Sequence, residues 1–237
     1  ERDPGLWQCT HCNISMLIQQ AYEVKHYQIT TPDWMGTTRY EIKAKVPPGA
    51  TKEQFHQMLR NLLADQFKLQ FHHGQKEAPM FDLVAAKGGP KIKESSEQPV
   101  EESKDDGSGP KVDRDGYPII PKDCSSCATV MNGKARYYAT KETIKEFVDF
   151  LSDQMGQPVE EKTGLTGKYD FLLSWTVRRR VMSLNQPPAG SPISEDADMG
   201  EPIESALQKQ LGLKLEAKKG MMDVIVVDGA AKNPAEN

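Results

Sequence analysis

The chain alternates between two hydrophobic rhythms, and the same order of rhythms comes twice. Leu17, Ile18, Ala21 and Tyr22 recur at helical spacing, and Asn13 stands where its side chain can cap that helix. An opening strand fits 6–12. Across 39–46, Tyr40, Ile42, Ala44 and Val46 alternate with charged residues, the period of a half-buried strand. Pro47-Pro48-Gly49 breaks it, and Thr51 with Gln54 reads as a capping box. The helix that follows carries an apolar stripe of Phe55, Met58, Leu59, Leu62 and Leu63. Phe67, Leu69 and Phe71 alternate as the next strand, Gly74 marks a hairpin turn, and 80–86 returns. The first module thus reads β-α-β-α-β-β.

The second copy begins with a short strand over 136–139. Thr140 is its candidate cap, with Glu142 and Thr143 in the first helical turn. Phe147, Phe150, Leu151 and Met155 line the helix, which Gly156 ends. A main strand over 169–177, a helix over 203–211 stopped by Gly212, and a hairpin of 213–216 with 222–227 complete it. The pattern predicts an α+β protein of two duplicated β-α-β-α-β-β modules. In each, helices pack on one face of a small, mainly antiparallel sheet. The modules span 1–90 and 135–231. A polar linker or long loop occupies 91–134, a polar insertion 178–200, and a disordered tail 232–237. The stretch 91–115 holds almost no aliphatic side chain, so it buries too little surface to offset its ordering entropy. Tyr117, Ile119 and Ile120 form an apolar island able to dock on a module.

Composition narrows the functions. The 237 residues carry a formal net charge of -4, which argues against a general nucleic-acid binder. No run approaches the length of a membrane-spanning helix, so no transmembrane segment is expected. Glu1 stands where Met would start a nascent chain, which reads as a mature or trimmed protein whose targeting segment has been removed.

Candidate chemistry is sparse. Cys9 and Cys12, and Cys124 and Cys127, form two Cys-x-x-Cys pairs. They suit structural disulfides, a redox-active pair ahead of a helix, or one tetrahedral zinc site, although about a hundred residues separate the pairs. His11 sits inside the first pair. His72 and His73 are adjacent on a strand, face opposite sides, and read as edge histidines. Asp113-x-Asp115-Gly116 has the look of a calcium loop without its later glutamate, so a solvated turn is expected. Arg178-Arg179-Arg180 fits a solvated strand end or an anionic partner. Trp34, Tyr40, Tyr169 and Trp175 are candidates for a ligand groove, with burial in the core as the competing assignment. No nucleophile elbow, phosphate loop or zincin motif occurs, and no catalytic residue or cofactor is expected.

Several stretches carry a family resemblance: 16–22, Pro32-Asp33-Trp34, 39–42, 58–69, Ala86-Lys87-Gly88-Gly89-Pro90-Lys91, 162–171, Leu207-Gln208-Lys209-Gln210-Leu211-Gly212-Leu213-Lys214-Leu215 and the terminal Glu236-Asn237. Together they resemble the soil-associated family of acidobacteria, whose function is unknown. Each half also resembles the short N-terminal domain of secretins and TonB-dependent receptors. The first resemblance implies an exported protein, sometimes attached to membrane-bound sensor-peptidase modules, and often with more sequence, an N-terminal strand included, before the point where this chain starts. The second implies a periplasmic β-α-β module for protein contacts. The expectation is an exported, non-catalytic binding or sensing module for a protein or cell-envelope ligand, acting through a sheet edge or a cleft between modules. A thiol-redox or zinc protein and a structural subunit of an envelope assembly are the alternatives.

Overall fold

The structure is a computed structural model and describes residues 5–95, 112–119, 126–177 and 201–235. In chain order the elements begin with β1 (Leu6–Cys12), α1 (Ile14–Tyr22), β2 (Ile29–Thr30), α2 (Trp34–Thr37), β3 (Tyr40–Lys45), α3 (Lys52–Phe67) and β4 (Gln70–Ala85). They continue with β5 (Lys93–Glu94), β6 (Ser126–Met131), β7 (Lys134–Thr143), α4 (Ile144–Met155), β8 (Val159–Glu161) and β9 (Lys168–Thr176). Last come α5 (Ile203–Ala206), a π turn over Leu207–Leu211, and β10 (Leu213–Gly229). The fold is α+β, as the two rhythms indicate. The chain divides into two compact units. One is Glu1–Pro79 with Met155–Gln157 and Lys219–Asn237, and the other is Met80–Gln154 with Pro158–Lys218. β4 and β10 each run through a division point and contribute to both units.

In the first unit, α1 starts where Asn13 Oδ1 accepts from Met16 N at 2.8 Å, and ends at Glu23, which adopts the left-handed conformation. Thr51 and Gln54 form the reciprocal capping box at the start of α3. α1 buries Leu17, Ile18 and Ala21, and α3 buries Leu59, Leu63 and Phe67, one face each at helical spacing. These side chains form one core with Met35, Ile225 and Val227. Trp7, Cys9, Tyr40 and Ile42 of the ribbon β1–β3 pack half-buried against it. β2 lies parallel beside β10, whose other neighbour is β4.

The expected turn at Gly74 is absent. Residues 70–85 form one strand, and Gly74 sits inside it, where a Cβ would stand 3.5 Å from Val226 Cγ2. The missing side chain makes room for valines of the neighbouring strand rather than bending the chain. The second expected hairpin is also one strand, because 213–216 and 222–227 both belong to β10.

In the second unit, β5-β9-β7-β6 form a four-stranded antiparallel sheet, and β8 lies parallel beside β4. β5 and β6 fall inside 91–134, read from the sequence as linker. β6 escaped notice because its half-buried face is Cys127, Thr129 and Met131, while Val130 is exposed. β7 runs to Thr143, so Glu142 is strand rather than helix. The cap of α4 is Thr143, not Thr140: Glu146 N donates to Thr143 Oγ1 at 3.3 Å, and Thr143 N donates to Glu146 Oε2 at 2.8 Å. Thr140 is displaced by a bulge between Ala139 and Glu142, where Lys141 has a φ of 54°.

α4 buries Ile144, Phe147, Val148 and Leu151 against the sheet, and Tyr137 stacks on Phe150 at 3.9 Å between ring centroids. Gly156 and Gly212 end their helical segments with positive φ, as expected. The π turn is held by the turn at 86–91. Ala86 N donates to Gly212 O and Lys91 N to Leu211 O, both at 2.8 Å, and Lys91 Nζ donates to Lys209 O at 2.9 Å. Two of the stretches that carry the family resemblance therefore satisfy each other's backbone.

Candidate binding groove along an open strand edge

β3 has a strand on one side only among the described residues. Its partner β1 is antiparallel, with Trp7 opposite Ala44 and Cys9 opposite Ile42. In the same register, Val46 N donates to Gly5 O at 2.8 Å. Hydrogen-bonded and non-bonded pairs alternate in an antiparallel ladder. Val46, Ala44 and Ile42 therefore turn their amides and carbonyls toward β1, and Glu41, Lys43 and Lys45 turn theirs to the open side.

A groove of about 510 Å³ lies along that side. Tyr40, Ile42 and Ala44 supply its apolar strand wall. Leu62, Asp65 and Gln66 on the last turns of α3 supply the opposite wall, and Pro234 and Ala235 close one end. The C-terminal residues are tied down there: Ala231 N donates to Phe67 O at 2.6 Å, Ala235 N to Gln66 O at 2.9 Å, and Tyr40 Oη to Lys232 O at 2.7 Å. Residues 232–235, read from the sequence as disordered tail, thus help to build the site. Partial burial raises the Tyr40 phenol pKa, which keeps it the neutral donor that this bond needs. Along the same stretch Arg39, Glu41, Lys43 and Lys45 are exposed, and Glu41 and Lys43 also border the groove. Among the described residues, the site offers backbone without a strand partner, an apolar trough and a cationic rim.

Of the four aromatic candidates, Tyr40 lines this groove. Trp34, on α2, packs half-buried on the first core. Tyr169 and Trp175 are 6% and 3% exposed and belong to the core of the second unit, so the competing core assignment applies to both.

Cys9 and Cys12 are bonded to each other, with Cα atoms 5.9 Å apart. Cys127 is also disulfide-bonded, and Cys124 lies outside the described residues. His72 Nδ1 lies 2.9 Å from Asp228 Oδ1, and the ring of His73 meets Phe71 edge-on. Asp113 Oδ1 accepts from Asp115 N at 3.0 Å and from Tyr117 N at 2.9 Å, closing a turn. Arg136 Nη2 donates to Asp113 Oδ2 at 2.6 Å and holds that carboxyl below the usual carboxylate range. Arg136 and Lys134 lie over the Tyr117 ring, which docks the turn on β7, while Ile119 is exposed. Ile120 and Arg178 to Arg180 lie outside the described residues. Among the described residues, no three His, Cys, Asp or Glu side chains converge as metal ligands, and no helix is long and apolar enough to cross a membrane.

A buried polar cluster sits in the other unit. Glu142 is 3% exposed and accepts from Tyr137 Oη and, at 3.0 Å, from Ser126 Oγ. Burial drives the Glu142 pKa upward, and the nearby Glu146 adds to the rise, while the two hydroxyl donors oppose it. Burial, with the Glu142 carboxyl beside it, also raises the Tyr137 phenol. Both residues are buried, which makes this cluster internal architecture. Sequence reading missed Glu142 because it placed that residue on a helix.

Fold and site define an α+β protein with an open-edged ribbon beside an apolar trough. The chain belongs to the family described as protein of unknown function (DUF3738), which residues 15–230 match. Comparison with curated proteins gave no match, and neither did comparison with solved structures.

Proposed function

We propose that the protein is an exported, non-catalytic binding module that takes an extended segment of a partner protein as an added strand along β3. The outward-facing amides and carbonyls of Glu41, Lys43 and Lys45, next to the trough, carry this reading. Main-chain hydrogen bonds would supply affinity, and alternate side chains of the guest would enter the trough. Export is supported by the cysteines: Cys9, Cys12 and Cys127 are all disulfide-bonded, the state that an oxidising compartment maintains. The sequence resemblance to the soil-associated acidobacterial family and to the secretin and TonB short N-terminal domain fits a contact module of the cell envelope.

Lys43→Pro tests the reading. It deletes an outward N–H and leaves the ladder to β1 intact, a position where an edge strand tolerates proline. In the free protein, the amides of Glu41, Lys43 and Lys45 should exchange faster than those of Ile42 and Ala44. A peptide selected from a random library for binding should protect the outward set, and Lys43→Pro should abolish its binding. Selected peptides that protect amides elsewhere, or that bind Lys43→Pro undiminished, would sink the proposal.

A further inference from the structure

The geometry points to the chemistry of the guest strand: apolar at alternate positions and acidic at the positions between. This rests on the strand-addition reading above and goes one step beyond it. A strand added to β3 continues the pleat, so its side chains alternate between the trough and the solvent face. On the trough side they would meet Ile42, Ala44 and Leu62, which favours aliphatic residues. Asp65 lines the same trough on the last turns of α3, near the partially negative helix end, and both disfavour an acidic side chain there.

At the positions between, the guest would lie beside the exposed Arg39, Glu41, Lys43 and Lys45, three cations and one anion, of which Glu41 and Lys43 also border the groove. Residues across a strand pair interact directly, so opposite charges stabilise and like charges repel. A second copy of β3 would bring an equally cationic rim against this one, which turns the edge away from self-pairing. An acidic guest rim is the complement. Lysines on an edge also blunt aggregation, and that role predicts no preference between guests.

Two end-capped synthetic peptides separate these cases. Both carry valine at alternate positions, with glutamate between in one and lysine between in the other. Binding is followed by amide chemical shifts of the whole protein at low salt. The glutamate peptide should bind about tenfold or more tightly than the lysine peptide, as several opposed cross-strand pairs imply. The ratio should shrink as salt rises. The double variant Lys43→Glu with Lys45→Glu should reverse the preference, and Lys43→Pro should abolish binding of both peptides. Equal binding of the two, still lost in Lys43→Pro, would overturn the acidic preference and leave strand addition standing. Binding of neither, or binding indifferent to Lys43→Pro, would overturn strand addition and the preference with it. Reversible self-association of the free protein that Lys43→Pro removes would also overturn the proposal, since the guest would then be a second copy.

Discussion

Replacing Gly212 with alanine tests the joint at which the π turn meets the turn at 86–91. Gly212 has a φ of 65°, a left-handed conformation that costs an L-residue about 1–2 kcal/mol. A Cβ there would also press into the Gly89 carbonyl oxygen, and would stand 3.0 Å from Lys91 N and 3.1 Å from Lys91 Cγ. Two of these three neighbours are backbone and cannot rotate away. Relief requires moving the 86–91 turn, which would strain the bonds from Ala86 N and Lys91 N, each worth about 0.5–1.5 kcal/mol. The expected loss is about 2–5 kcal/mol. Gly156 is the control: its φ is 64°, but its nearest neighbours are His26 ring atoms at 3.5 and 3.6 Å, an ordinary contact. Gly156→Ala should therefore cost only the backbone share, about 1–2 kcal/mol. Thermal unfolding of both variants measures the difference. At about 2–4 °C per kcal/mol for a chain of this size, Gly212→Ala should melt about 4–20 °C low and Gly156→Ala about 2–8 °C low. Equal shifts in the two variants would mean that the close approach of Gly212 to Gly89 does not exist in solution.

Glu142 gives a pH dependence of definite sign. Its pKa is raised in the fold, so the stability it contributes is complete below the ordinary value of 4.5 and is lost as pH rises through its folded value. Denaturant titrations across mildly acidic to neutral pH should show that decline, and Glu142→Gln should flatten it; an unchanged slope in the variant refutes the assignment. Reducing the Cys9–Cys12 bond, which closes a very short loop, should cost about 2 kcal/mol and leave the protein folded. Urea midpoints with and without reductant, compared with a Cys9→Ser/Cys12→Ser variant, check this, and global unfolding on reduction would contradict it.

The helices of the first unit were legible because their signals are local. Asn13, and Thr51 with Gln54, announce their helix starts within one turn, and the stripes of α1 and α3 are read directly from spacing. Errors arose where one residue type serves two physical ends. Gly74 looks like a turn, but its lack of a side chain serves the valines of β10, which lie about 150 residues away in sequence. Thr140 and Thr143 are equivalent caps on paper. Only the bulge at Lys141 and the reach of Glu146 decide between them. β6 was hidden because Cys127, Thr129 and Met131 make up its half-buried face, while its one valine is exposed.

The groove was illegible for a deeper reason. The alternation of Tyr40, Ile42 and Ala44 with charges is plain, and it predicts a half-buried strand under almost any topology. That no described strand pairs with its other side is a fact about the whole topology, and no local pattern encodes that. The parity of the exposed backbone is less local still. It follows from the pairing of Trp7 and Cys9 with Ala44 and Ile42, which places all four on the core face, and from the Val46 to Gly5 bond that fixes which pairs are hydrogen-bonded. Slipping β1 by one residue would turn Trp7 and Cys9 toward solvent, so burial of those two side chains holds the register. Trp7, whose ring meets Phe55 of α3 at 5.6 Å, therefore helps to set which amides of β3 a guest strand would find. A substitution at Trp7 should weaken guest binding without touching the groove.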